Sequence, residues 1–218
     1  MADDLDRFLA NARGSASAAK IVRLDHLHQN QAAGTWQLGS LRGRLVELSA
    51  RGATATLPAA IELVVEAQTQ SEPVAWIAPV TGTFYPPDVA DSGVDLAALV
   101  VIRTPVGNEA IAAARAAERL LRSGAFGLVI LDLGAADLSM QIQGRLVTLA
   151  QAHDAAVVCI TDKTRDTASL GSLISLRAEA TRDRDQHELG FSVRALKDKR
   201  RGPGWTHTAK RRAPAGFK

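Results

Sequence analysis

The segment after the first β-rich run of the sequence has the position of a phosphate-binding loop but lacks its residues. Residues 48–56 read Leu-Ser-Ala-Arg-Gly-Ala-Thr-Ala-Thr, between an apolar stretch and a helical pattern. Such a loop binds phosphate when glycines expose backbone amides, a lysine reaches the terminal phosphates and a hydroxyl contacts Mg²⁺. The residues that occupy this place are Ser49, Arg51, Gly52, Thr54 and Thr56.

The lysine that this chemistry requires is missing. The chain has no lysine between Lys20 and Lys163, and nowhere does a lysine follow a glycine. No shift of the alignment restores the motif, so we predict a degenerate site that neither binds ATP tightly nor hydrolyses it. Arg51 could hold an anion at the start of the helix, although a loop arginine is more often simply solvated.

Two further positions would belong to a nucleotide site. Asp132 closes the apolar run 128–131, as a magnesium-contacting aspartate does, but an aspartate also commonly caps a turn after a buried strand, the interpretation we favour. Val80 lies where a catalytic base would activate water, and no carboxylate occurs between Glu72 and Asp88. We therefore predict no catalytic residue, no cofactor and no enzymatic activity.

Metal chemistry is not indicated either. His26 and His28 are close in sequence, but no cysteine or acidic cluster at ligand spacing accompanies them, and a zinc site needs three or four convergent ligands. The single cysteine, Cys159, lies in an apolar run, which predicts a buried structural thiol.

From residue 38 onward, short apolar runs alternate with helical windows. The runs predict strands at 44–48, 74–77, 99–103, 128–131 and 155–161. The windows predict helices at 54–69, 108–123 and 138–153. This alternation is typical of an α/β fold in which a mostly parallel sheet carries helices on both faces. Two later alternating stretches, 173–180 and 188–196, predict an added antiparallel hairpin whose charged turn is 181–186.

The positive charge is concentrated near the C-terminal end. The formal net charge is +3, yet nine basic residues and one acid follow residue 189, so this end carries +8 and the rest −5. A polyanion would therefore meet this end. The candidates for nucleic-acid contact are Arg200, Arg201, Trp205, Lys210, Arg211 and Arg212, with the tryptophan placed to stack on an unpaired base. A solubilising tail is the alternative.

The chain divides into three parts by pattern. Residues 1–37 predict an N-terminal helix and docking arm, 38–200 the α/β core, and 201–218 a basic mobile tail rich in Gly and Pro. No apolar run approaches the roughly 20 residues of a membrane span, and the N-terminus is acidic, so we expect a cytoplasmic protein without a membrane partner.

Several segments resemble the RecA recombinases in order and spacing. The entry to the first core strand, Arg-Gly-Arg-Leu-Val-Glu-Leu at 42–48, is similar to theirs, and so are the run 93–101, the strand closing on Asp132 and the segment 193–199. The resemblance implies a RecA-like core of the P-loop NTPase type. The segment Lys20, Ile21, Val22, Arg23 and Leu24 is similar to the RecA strand that docks on a neighbouring subunit, and Lys197 and Lys199 resemble a lysine pair that contacts ATP across the interface.

The degenerate loop and the truncated basic end make the chain resemble the ImuA proteins. That family implies an accessory role in SOS mutagenesis and translesion synthesis, with RecA, an inactive Y-family polymerase homologue and an error-prone C-family polymerase as partners, and DNA as a further possible partner. The alternative is an ATP-dependent DNA-repair ATPase or recombinase paralogue of the RecA superfamily.

Overall fold

The computed structural model describes residues 36–49, 54–82, 84–185 and 188–211, of which 183–185, 188–189 and 210–211 are described by their backbone alone. Eight strands form one sheet in the order β3-β2-β4-β5-β1-β6-β7-β8. The strands are β1 Arg44–Ser49, β2 Val74–Pro79, β3 Leu99–Thr104, β4 Leu128–Gly134, β5 Ala156–Thr161, β6 Leu176–Asp185, β7 Glu188–Asp198 and β8 Thr206–Arg211. The helices are α1 Leu38–Leu41, α2 Thr56–Thr69, α3 Pro86–Asp91, α4 Glu109–Arg122 and α5 Met140–Ala152, with a 3₁₀ turn at Leu96–Ala98.

The first six strands run parallel, and β7 and β8 continue the sheet antiparallel. The mostly parallel α/β sheet predicted from the sequence is therefore confirmed, including the added hairpin. The five strands and three helices that the apolar periodicity predicted all occur within three residues of their expected bounds. The short helices α1 and α3 were not predicted, since a four- or six-residue segment is too short to show a helical period.

Alternate residues of each central strand enter two cores. One face of the sheet packs with α2 and α3, and its large side chains include Trp36 and Trp76. The other packs with α4 and α5 and includes Ile77, Leu131 and Cys159. Because β1, β4 and β5 are covered on both faces, their residues are apolar almost throughout, which is why periodicity located them so well.

Three boundaries differ from expectation. The described core begins before residue 38, since Trp36 is 1% exposed and its indole Nε1 donates to the Ala59 carbonyl at 3.0 Å. The charged segment expected as a turn continues β6 as far as Asp185. The expected mobile tail from residue 201 contains β8, which pairs with β7 from Arg194 opposite Thr206 to Leu189 opposite Arg211. The expected docking segment, residues 20–24, lies outside the described residues.

Among the described residues, no helix is long and apolar enough to cross a bilayer.

Candidate functional site

The carboxyl ends of the parallel strands meet at one edge of the sheet, where α/β proteins bind ligands. Ser49 ends β1, Val80 follows β2 and Asp132 lies near the end of β4. The structure thus brings these three candidates of the nucleotide site to a common edge, together with Thr54 and Thr56 at the start of α2. Arg51 and Gly52 lie outside the described residues.

The connection from β1 to α2 differs from a phosphate loop in its residues. It comprises the six residues from 50 to 55, between Ser49 and Thr56. The GxxxxGK[ST] pattern ends inside the helix, where a lysine and a hydroxyl residue follow glycine, whereas Thr56 and Leu57 begin the helix here. Ser49 is fully buried, and its hydroxyl lies 3.4 Å from the Ala178 carbonyl, to which it donates. Its side chain therefore serves the neighbouring strand β6.

The described backbone amides at the start of α2 are largely occupied. The first four amide groups of a helix lack helical partners and make its N-terminus an anion site. Here the Ala55 amide donates to the Ala180 carbonyl at 3.2 Å, and the Thr56 amide donates to Thr54 Oγ1 at 3.1 Å. Pro58 has no amide hydrogen. Among the described amides of residues 55–58, at most that of Leu57 is left to meet an anion.

The two threonine hydroxyls bond to each other. Thr54 Oγ1 and Thr56 Oγ1 are 3.1 Å apart, and Thr56 is buried. Thr54 also forms an isolated antiparallel bridge with Thr181, and its carbonyl accepts a bond from Arg182 Nε at 3.1 Å. The backbone of Thr54 is thus tied to β6 by the backbone of Thr181 and by the side chain of Arg182.

Asp132 is the carboxyl group among the candidates at this edge. Burial, and next the charge of Asp162, raise the pKa of its carboxyl, against the Gly134 amide and the charge of Arg103. A raised pKa favours the neutral acid, whereas a magnesium ligand must be ionised. Among the described residues, no three His, Cys, Asp or Glu side chains converge on one point.

The end of β2 is apolar. Val80 is 54% exposed, and its amide donates to the Thr104 carbonyl at the end of β3 at 3.1 Å. Arg103 donates to the carbonyls of Pro79 and Phe84 at 3.2 and 2.9 Å and lies over the Phe84 ring. Arg103 therefore fixes the loop after β2.

The lysine pair lies toward the opposite edge. Lys197 is paired with Arg177 across β6 and β7, and Arg177 is level with Glu47 in the middle of β1. Burial, and next the charges of Lys199 and Arg177, lower the pKa of Lys197, and Glu47 opposes this effect. Lys199 Nζ donates to the Ser172 carbonyl at 2.5 Å. The end of β7 that carries these lysines therefore points away from the edge where Ser49 and Asp132 lie.

Segments that carried the resemblance are joined by a buried ion pair. Arg44 Nη2 lies 2.6 Å from Asp198 Oδ1, with their side chains 2% and 1% exposed. Burial lowers the pKa of Arg44, although Asp198 opposes the shift. Asp198 also accepts from the Trp205 indole at 3.0 Å and from the Arg200 amide at 2.9 Å.

The candidate nucleic-acid residues do not form one patch. Trp205 is 5% exposed and packs in the core, so its predicted role as an exposed stacking platform is wrong. Its indole Nε1 donates to Asp198 Oδ2, and its ring packs in the core on the face of the sheet that α2 covers. Arg200 and Arg201 lie at the start of the connection to β8, while Lys210 and Arg211 lie at the far end of that strand, about 17 Å away at ~3.4 Å per residue. Arg212 lies outside the described residues.

A second buried polar cluster was missed from the sequence. Glu47, in the middle of β1, accepts from Ser169 Oγ at 2.6 Å, the Leu170 amide at 3.1 Å and Thr161 Oγ1 at 3.2 Å. Arg177 Nε lies 3.7 Å from Glu47, and the guanidinium donates to the carbonyls of Thr164 and Thr167. The signal was an acid inside the apolar run Leu45-Val46-Glu47-Leu48, which requires a buried partner. The cluster fastens the loop after β5 to the sheet.

Comparison with known proteins supports the fold. No protein-family model and no curated protein matches the sequence. Among solved structures, the chain is similar to one described as the RadB recombinase, with a TM-score of 0.60 and 14% identity over 80% of this chain and 94% of that one. At this identity the likeness concerns the fold. The sheet order, the two-sided core and this neighbour together establish that the chain has a RecA-like α/β core.

Proposed function

We propose that this chain is a non-catalytic RecA-like accessory protein that acts by binding other proteins. The observation that carries the proposal is the β1–α2 connection, which has no lysine and, among the described amides of residues 55–58, at most one that is free. ATP binding in this superfamily depends on those groups. The apolar end of β2 at Val80 offers no base for hydrolysis in its place.

The test of this step is ligand-induced stabilisation. A ligand that binds only the folded state raises the apparent stability, by about 2.7 kcal/mol at 100 times its Kd. We expect no change in Tm when millimolar Mg-ATP is added, and no ATP turnover above a matched blank. A catalytically competent RecA-fold ATPase, measured beside it, supplies the positive control. A saturable rise in Tm that depends on Mg²⁺ would overturn the proposal.

The setting that best suits such a protein is damage-induced mutagenesis. The resemblance to the ImuA proteins supports a role in SOS-controlled translesion synthesis, with RecA, an inactive Y-family polymerase homologue and an error-prone C-family polymerase as the proteins it engages. The lysine pair at the edge opposite the degenerate site supports a contact between subunits. We infer that the chain joins a RecA filament end and restrains its growth, because it has no ATP-bound face for the next subunit.

This inference predicts a stoichiometry. The protein should slow RecA filament growth at substoichiometric ratios, since one bound subunit closes one end. The variant Lys197→Ala with Lys199→Ala should lose the effect while keeping its Tm within about 2 °C of the parent, as expected for surface changes of about 0.5 kcal/mol. Inhibition that needs enough protein to coat the DNA, or that survives the double substitution, would favour competition for DNA.

A second candidate function rests on the structural neighbour, which is described as a recombinase. An ATP-dependent DNA-repair ATPase or recombinase paralogue would require nucleotide to bind despite the occupied amides. The thermal-shift measurement separates the two functions directly.

A further inference from the structure

An open groove of about 620 Å³ lies between α4 and α5, on the outer side of the helical layer. Its lining residues are Arg122, Gln141, Gly144, Arg145, Thr148 and Leu149. Gly144 contributes no side chain, so it and Leu149 leave a low, partly apolar floor between arginines on the two helices. This surface is built from helices that run down the face of the sheet and is separate from the nucleotide edge.

The groove is basic. Arg115, Arg119 and Arg122 are exposed on α4 at spacings of four and three residues, which places them along one side of the helix. Within the part of the chain that the structure describes, none of the three makes a hydrogen bond or ion pair. Across the groove Arg145 Nε is held by Glu118 Oε1 at 2.7 Å, which leaves its other guanidinium donors available. The helix α5 contains no acidic residue.

We propose that the groove binds an acidic, amphipathic segment of a partner protein. Carboxylates of that segment would pair with Arg115, Arg122 and Arg145. The planar guanidinium of arginine is suited to this pairing because it binds a carboxylate through two parallel hydrogen bonds. An apolar side chain of the segment would rest on Gly144 and Leu149. This surface goes beyond the proposed function, since it does not depend on whether the nucleotide edge is active.

The charge and the shape together favour a peptide over nucleic acid. A phosphate backbone is bound by cations and hydrogen-bond donors and gains nothing from an apolar floor. The floor at Leu149 suits a segment that also carries an apolar side chain. The length also fits, because α5 has 13 residues and therefore spans about 20 Å, the length of a short helical peptide.

The experiment uses the full chain and a fluorescein-labelled acidic peptide of about 13 residues, with Glu at i, i+4 spacing and one central Leu. Binding is followed by anisotropy at physiological salt, with the peptide in which every Glu is Gln as the negative probe. We expect the variant Arg115→Gln with Arg122→Gln to weaken binding about tenfold. The control variant, Arg165→Gln with Arg194→Gln, loses the same charge at exposed arginines elsewhere and should bind like the parent. A third variant, Thr148→Trp, fills the groove without changing charge and should weaken binding to a similar degree.

The proposal is overturned if the control variant loses as much affinity as the groove variant, because the attraction would then be that of net charge. It is also overturned if Thr148→Trp binds like the parent, or if a short DNA duplex displaces the peptide and loses affinity in the same two groove variants. In the last case the groove would be a nucleic-acid site.

Discussion

Asp198 joins three parts of the chain that are distant in sequence. Its carboxylate meets Arg44 at the start of β1 and Trp205 just before β8, and it also accepts from the Arg200 amide. Burial alone would raise the pKa of this carboxyl. The bonds from the Arg200 amide, the indole and Arg44 outweigh burial, and the pKa is lowered. Asp198 is therefore ionised in the folded protein and supports the fold in that form.

We predict that Asp198→Asn lowers the free energy of unfolding by about 3–5 kcal/mol at neutral pH, because it leaves Arg44 buried without a counter-charge. Urea unfolding measures the loss. Asp166→Asn, at a carboxylate whose side chain is 88% exposed, should change stability by less than about 0.5 kcal/mol.

The same pair predicts a pH dependence. A carboxyl whose folded pKa is lowered contributes stability that is present above its unfolded pKa, near 4, and lost as the pH falls through the folded pKa. The parent should therefore lose more stability than Asp198→Asn on acidification below about pH 4. Parallel stability curves for the two proteins would show that the carboxylate is not a stabilising group.

At the scale of elements, β8 is the part of the fold that departs most from expectation. Glycine, proline and positive charge after residue 200 are typical of a mobile tail, and the strand Thr206–Arg211 has only six residues. It is held because Trp205 enters the core beside Phe191 and Val193 of the hairpin, while its backbone pairs with β7. The strand is therefore part of the stabilising core.

We predict that Trp205→Ala lowers the free energy of unfolding by about 3–5 kcal/mol, the range for a large buried aromatic. Chemical denaturation checks the value. Thr208→Ala, on the exposed side of the same strand, serves as the control and should stay within about 0.5 kcal/mol of the parent. An unchanged midpoint for Trp205→Ala would show that the strand detaches without cost. Removal of the whole segment from residue 202 would disturb folding for the same reason.

Local patterns in the sequence predict some of these features, whereas contacts between distant segments decide the others. Continuous apolar runs predict buried parallel strands, and apolar residues at helical spacing predict amphipathic helices such as α4. Pairings between charges 154 residues apart, as in Arg44 and Asp198, leave no local pattern. The charged neighbours of Trp205 in the sequence predict an exposed side chain, whereas Trp205 is buried in the core that α2 and β7 help to form. The absent lysine could be seen at once, but the occupation of the helix amides by Ala180 and Thr54 required the structure.

For the molecule as a whole, positive charge is spread over both ends of β8. Lys210 and Arg211 end that strand toward the edge of the degenerate site, while Arg200 and Arg201 lie at the other edge, where Arg201 Nη2 contacts Ser40 Oγ. A duplex that engages both groups must therefore run along β8.

We predict that Lys210→Gln with Arg211→Gln reduces the slope of log K against log salt by about 1.8 if both cations contact phosphates of duplex DNA. Anisotropy titrations over a range of salt concentrations measure the slope. Arg119→Gln with Arg165→Gln, at exposed arginines on α4 and after β5, controls for net charge. An unchanged slope after the first pair of substitutions would move the DNA site away from β8.

The outermost strand β3 has a consequence for handling the protein at high concentration. Its neighbour on one side is β2, and its residues Val100 and Val101 are 42% and 39% exposed on opposite faces. A strand with an apolar surface and a row of outward amide and carbonyl groups is a template for self-association. We expect Val101→Lys, which places a charge on that margin, to raise the concentration at which light scattering first increases during ultrafiltration, with Tm changed by less than about 2 °C. The parent chain should precipitate first, and at a rate that rises with concentration faster than linearly.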